Sequence, residues 1–114
     1  MAIPHAAPGM SVNLLEDGES RAETRTNALV KNQAFEAIRL VIPKGRELSR
    51  HQVEGPITIQ CLEGRIAFAC GGETHDLKAG CWLFLTGGEP HSLTGIEDAV
   101  VLLTIMFPRG GGAT

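Results

Sequence analysis

The feature that most constrains the fold of this chain is the regular interruption of short apolar runs by glycine and proline. The 114 residues include 14 glycines and 6 prolines, and most of them stand between apolar runs. Such punctuation, about every eight to twelve residues, is typical of short strands joined by tight turns. The chain is therefore predicted to be all-β, with candidate strands at residues 11–15, 28–32, 34–42, 46–52, 57–63, 65–70, 73–77, 81–86, 91–93 and 99–107.

The pattern within the strands predicts which faces are buried. In ITIQCLE (57–63), Ile57, Ile59 and Cys61 share one face, which predicts that they point into the core. Residues 81–86 and 99–107 are instead apolar on both faces. Since an antiparallel strand with one face in water should alternate, something must cover the second face. We predict a homodimer, because isologous pairing is the commonest solution for a small β-domain.

Turn residues and polar stretches predict where strands end and where the folded domain begins and ends. Glu63-Gly64 separates two β-rich runs and predicts a two-residue hairpin, and Gly71-Gly72 predicts a second tight turn. Residues 16–27 lack periodicity and predict a polar loop. Residues 1–10 and 109–114 are expected to be flexible tails, which leaves one domain over 11–108.

Composition excludes several classes of partner. The net charge of -3 and the scattered basic residues argue against a nucleic-acid surface. No run reaches the ~18 apolar residues that span a bilayer, and the N-terminus does not resemble a signal peptide, so we expect a cytoplasmic protein without a membrane partner. The three cysteines, Cys61, Cys70 and Cys81, form no CxxC pair and are expected to be reduced core residues.

Two stretches carry glycine and histidine at informative spacings. GRELSRHQVEGPITIQCLEG (45–64) follows the pattern G-x5-H-x-V-x3-I-x6-G, and GCWLFLTGGEPHSLTG (80–95) follows G-x5-T-x-G-x2-H-x3-G. These stretches resemble the two motifs of the cupin superfamily, G-x5-H-x-H-x3,4-E-x6-G and G-x5-P-x-G-x2-H-x3-N. The resemblance covers residues 34–107 and is to small single-domain bacterial cupins. It implies a double-stranded β-helix, or jelly-roll, barrel with a pocket at its mouth.

The resemblance also implies where a metal would bind. In typical cupins, two histidines and a glutamate of the first motif and a histidine of the second bind one divalent metal ion. By position, His51 matches the first ligand and His91 the last, whereas Val53 and Ile57 replace the second histidine and the glutamate. Two imidazoles hold a dication weakly, and an apolar pocket disfavours it further. We therefore predict that a metal (Zn, Fe, Mn or Ni) is absent or weakly bound.

Two hypotheses about function follow, and the sequence leaves open whether the protein is an enzyme. In the first, the barrel binds a small organic ligand in a pocket lined by His51, Val53, Ile57, Ile59, Cys61 and His91. The alternative is a metal-dependent dioxygenase, isomerase or lyase that uses His51 and His91 with an atypical third ligand. Cys61 is favoured for that ligand because it shares the inward face of Ile57 and Ile59; the other candidates are Glu54, Gln60 and His75. A sensory role would require a separate partner protein.

Overall fold

The described part of the chain is built from strands. The computed structural model describes residues 6–15, 26–51 and 53–108, and for residues 49–51 it describes the backbone alone. These ranges contain no helix that could cross a membrane. The strands agree with the predicted ones to within two residues, apart from 11–15. They are β1 (Asn27–Lys31), β2 (Phe35–Ile42), β3 (Glu47–His51), β4 (Ile57–Glu63), β5 (Arg65–Cys70), β6 (Glu73–Lys78), β7 (Trp82–Leu85), β8 (His91–Gly95) and β9 (Ala99–Met106).

The strands form two antiparallel sheets packed face to face. One sheet has five strands in the order β1-β2-β9-β4-β7, and the other has four in the order β3-β8-β5-β6. From β2 onward the chain passes between the sheets at nearly every connection, which is the behaviour of a jelly roll. The predicted all-β jelly-roll barrel is confirmed.

The core fills the space between the sheets. The alternation predicted for β4 is confirmed, since Ile57, Ile59 and Cys61 are at most 2% exposed. From the other sheet, Ile66 and Phe68 on β5 are fully buried against them. The period-two pattern of each strand thus supplies one apolar face to a shared core.

The predicted hairpin at Glu63-Gly64 is wrong. β4 pairs with β7 and β9, whereas β5 pairs with β6 and β8 in the other sheet. Gly64 alone, with φ +78°, joins the two strands and carries the chain from one sheet to the other. The physical reason is that a strand has two hydrogen-bonding edges, and other strands occupy both edges of β4 and both edges of β5, which leaves neither strand an edge for the other.

The second predicted turn is confirmed. Gly71 and Gly72 join β5 to β6, with Cys70 and Glu73 as backbone partners on either side. Both glycines have positive φ values, 57° and 80°, as in a type I′ hairpin turn.

The predicted strand at 11–15 is also wrong, because local side-chain bonding replaces strand pairing there. The Asn13 Oδ1 atom accepts a hydrogen bond from the Leu15 amide at 3.0 Å, which forms a turn. The Leu14 carbonyl accepts a bond from Arg39 Nε at 2.8 Å.

The predicted tails and loop are covered only in part. Residues 1–5, 16–25 and 109–114 lie outside the described residues. Within 6–10, the Ala6 amide donates to the Leu29 carbonyl at 2.7 Å, so this segment has a backbone contact with β1.

Candidate functional site

A cavity of about 310 Å³ lies between the two sheets. The five-stranded sheet contributes aliphatic side chains from β2, β4 and β9, and the four-stranded sheet contributes residues of β3, β5 and β8. Val53 joins them from the loop between β3 and β4. The lining residues are Ile38, Leu40, Leu48, Val53, Ile57, Ile59, Phe68, His91, Ser92, Leu93, Leu103 and Ile105.

His91 is the titratable residue among these lining residues. Its side chain is buried, with 8% of the residue exposed. Nδ1 lies 3.2 Å from the Glu89 carbonyl oxygen. Since a carbonyl can only accept, Nδ1 carries the proton in this contact, which fixes the tautomer of the neutral ring. The ring also stacks on Phe68, with centroids 5.6 Å apart and planes 12° apart. Packing and hydrogen bonding thus hold the imidazole in one orientation.

His51 is the backbone partner of His91. The register of β3 against β8 pairs the two residues directly, after an irregularity between Leu48 and His51. Directly opposed residues on antiparallel strands have Cα atoms about 4.5–5.5 Å apart. The structure therefore brings the two histidines of the sequence motifs side by side in one sheet.

Three further residues of the predicted pocket line the cavity. Ile57 and Ile59 line the cavity from β4, and Val53 lines it from the loop before that strand. The Gly88 amide donates to the Val53 carbonyl at 2.7 Å, which ties this loop to the one that precedes His91. The two motifs are thereby joined at the same end of the barrel.

Cys61 lies further along β4 and is not among the residues that line the cavity. It is fully buried, and its Sγ donates to the Glu63 carbonyl at 3.3 Å. Burial, with the nearby Cys81, raises the pKa of the Cys61 thiol. A buried thiol that is held protonated is a poor metal ligand or nucleophile.

Cys70 is the residue beside His91 that sequence reasoning missed. It is the backbone partner of His91 on β5, so His51, His91 and Cys70 form a row across three strands. Burial raises the pKa of the Cys70 thiol, and the charges of Glu89 and Glu73 raise it further. The signal was present in the sequence, because Cys70 shares the parity of the inward-facing Ile66 and Phe68 on β5.

Comparison with known proteins places the chain in a family. The sequence profile of the family described as "Cupin domain" matches residues 38–106, which is 69 of the 114 residues. The chain belongs to the cupin superfamily. The two glycine-histidine stretches at 45–64 and 80–95 both fall inside the matched region of this cupin.

Solved structures share the fold of this cupin. An RmlC-like cupin from Desulfovibrio desulfuricans is 27% identical, with a TM-score of 0.73 over 85% of this chain and 95% of that one. A conserved protein of unknown function from Streptococcus pyogenes is 23% identical, with a TM-score of 0.70 over 90% and 99%. The salicylate 1,2-dioxygenase from Pseudaminobacter salicylatoxidans is 21% identical, with a TM-score of 0.61 over 63% of this chain and 21% of that one. Among curated proteins, none matches this chain.

The described residues of this cupin do not supply the ligand set of a metal site. Within them, no three His, Cys, Asp or Glu side chains come together as a metal site requires. The other candidate ligands lie elsewhere: Gln60 pairs with Trp82 and Leu102, Glu54 is exposed, and the partly exposed His75 lies 3.7 Å from Glu73. The lining of the cavity suits an apolar molecule better than a dication.

Proposed function

We propose that this cupin binds a small organic molecule in the cavity between its sheets, with a metal ion absent or weakly held. The observation that carries the proposal is the described lining, which is aliphatic and aromatic apart from Ser92 and the oriented imidazole of His91. Ligand pockets in proteins have this composition, in which apolar walls supply affinity and a few polar groups fix orientation. Val53 and Ile57 contribute aliphatic surface where a metal-binding cupin would carry ligands.

One observation favours a second candidate, a metal-dependent cupin enzyme of the dioxygenase, isomerase or lyase kind. The backbone register places His51, His91 and Cys70 in a row across three strands, and histidine and cysteine are residue types that zinc, iron or nickel accept as ligands. In this candidate the atypical third ligand would be Cys70 instead of Cys61, and metal binding would have to displace the proton of a thiol whose pKa is raised by burial. The likeness to the salicylate dioxygenase supports the barrel only, since the two chains are 21% identical.

Metal analysis separates the two candidates. Wild-type protein purified without chelator and then dialysed should retain much less than one divalent ion per chain, because two imidazoles are too few ligands for tight binding. The dialysed protein should still bind small organic molecules, detected as shifts of the Ile57 and Ile59 methyl resonances when a fragment mixture is added.

Retention of one ion per chain would contradict the proposal and support the metal-dependent enzyme. Cys70→Ser should then release the ion. Cys61→Ser, which changes a thiol outside the cavity lining, is the matched control and should keep it.

A further inference from the structure

The size of the cavity limits its ligand. An apolar cavity of about 150 Å³ in a protein core accommodates benzene. The cavity of this cupin is about 310 Å³, roughly twice as large. It therefore matches a molecule of about ten to twelve non-hydrogen atoms, the size of two fused six-membered rings.

The lining also limits the charge of the ligand. Its twelve described residues contain no Lys, Arg, Asp or Glu, and its polar side chains are His91 and Ser92. A buried carboxylate or ammonium group needs a paired charge and several hydrogen bonds, and lacks stabilisation without them. Phe68 and the surrounding aliphatic side chains offer such a group no counter-charge.

We propose that the ligand of this cavity is an uncharged, largely apolar molecule of about two fused rings, with its polar group directed to His91. This inference rests on the proposed function and adds the chemical class of the ligand. Phe68 and His91 both line the cavity, so an aromatic ligand gains dispersion contacts with their rings.

Three probes of matched chemistry test the class. 1-Naphthol is neutral at neutral pH and has two fused rings, 1-naphthoate adds a negative charge to the same rings, and phenol keeps the hydroxyl but halves the ring system. We expect 1-naphthol to bind at least about tenfold more tightly than either of the others, by calorimetry. Methyl resonances of Ile57, Ile59 and Leu103 should shift with 1-naphthol.

A cavity-filling variant gives an independent measurement. Val53→Phe adds volume in a loop that can adapt and should weaken 1-naphthol binding about tenfold. Ile96→Phe, at a residue that is 40% exposed and does not line the cavity, should leave the affinity unchanged. Equal affinity in the two variants would place the probe elsewhere and overturn the proposal.

These experiments distinguish an error in the ligand class from an error in the proposed function. Tight binding of 1-naphthoate with shifts of the cavity methyls would overturn the neutral class and leave the pocket as a small-molecule site. An absence of methyl shifts with all three probes would overturn the class, and retained metal in dialysed protein would overturn the proposed function.

A separate observation concerns the outer face of the five-stranded sheet. Trp82 and Phe84 on the edge strand β7 are 55% and 58% exposed, and their rings lie 5.8 Å apart. The register places them beside outward-facing residues of β4 and β9, none of which is charged. This outer patch consists of Thr58, Gln60, Trp82, Phe84, Leu102 and Thr104.

Among the described residues, the segment 6–15 contacts the other side of this face. There, Arg39 is 2% exposed and donates to the carbonyl of Leu14, from the segment 6–15. The segment 16–25, EDGESRAETR, is charged at six of its ten positions, which is the wrong composition to cover the outer patch. An uncharged patch, by contrast, meets a copy of itself without charge repulsion.

We propose that a second copy of this chain covers the outer patch in an isologous dimer. Sedimentation equilibrium at micromolar concentration should give about twice the monomer mass of 12.1 kDa. Phe84→Glu should shift the protein to monomer while it stays folded by circular dichroism, because the side chain is exposed. Ile96→Glu, a like substitution at an exposed isoleucine outside the patch, should remain dimeric. A monomeric wild-type protein, or a dimeric Phe84→Glu variant, would overturn the assignment.

Discussion

Gly64→Val should be among the most destabilising single substitutions in this protein. Gly64 has φ +78°, and a Cβ atom built on it would lie 2.0 Å from the Asp98 carbonyl oxygen and 2.8 Å from Ala99 Cα. The left-handed backbone costs a valine about 1–3 kcal/mol. The clash adds a similar amount, because its partners are backbone atoms at the start of β9 that cannot rotate away. We expect the free energy of unfolding to fall by about 3–5 kcal/mol and the melting temperature by about 12–20 °C.

Gly72→Val is the matched control for this change. Gly72 has nearly the same φ, +80°, but a Cβ there would meet no atom within 4 Å. The free energy of unfolding of this variant should fall only by the cost of the left-handed backbone to a valine, about 1–3 kcal/mol. Thermal unfolding of both variants by circular dichroism checks the difference. Equal losses would show that Gly64 is not packed against Asp98, and that the single-residue connection between the sheets is misplaced.

The double variant Val53→His, Ile57→Glu should gain a tight metal site. Positions 53 and 57 line the same cavity as His91, and His51 is the backbone partner of His91. The variant would carry three imidazoles and one carboxylate, a set suited to zinc, iron, manganese or nickel. After dialysis we expect about one ion per chain in the variant and far less in the wild type, by elemental analysis.

Stability gives a second measurement of the same site. Ile57 is 2% exposed, so a carboxylate there should destabilise the metal-free protein by several kcal/mol. Metal at about one hundred times the dissociation constant should restore about 2.7 kcal/mol, or roughly 10 °C in melting temperature. The control Val53→His, Ile57→Gln keeps the shape and lacks the negative charge, and should recover much less. If the double variant retains no metal, the scaffold does not direct positions 53 and 57 toward the histidines.

Much of the fold could be predicted from the local pattern of apolar, polar and glycine residues. The period of two in β4 predicted its buried residues, and apolar runs between glycines predicted nine strands to within two residues. The turn predicted at Gly71-Gly72 is also present, and both glycines have positive φ. These properties depend on single residues and their near neighbours, which a sequence displays directly.

Part of the site was accessible in the same way. The resemblance of the two motifs to those of cupins implied that His51 and His91 would come together, and the register of β3 against β8 pairs them. Parity along β4 placed Ile57 and Ile59 inward, and both line the cavity. Parity does not show how far along the barrel each residue lies, and Cys61 shares the inward face of Ile57 and Ile59 without lining the cavity.

Strand partners could not be obtained from local pattern. Glu63-Gly64 has the sequence of a hairpin, yet β4 and β5 lie in different sheets, because strands distant in the sequence occupy both hydrogen-bonding edges of each. The same pairing puts Cys70 beside His91, 21 positions later in the chain, while Cys61 pairs with Val101. Which residues become neighbours depends on how two whole sheets bury their apolar faces together, and that free energy belongs to the assembled barrel rather than to any segment of it.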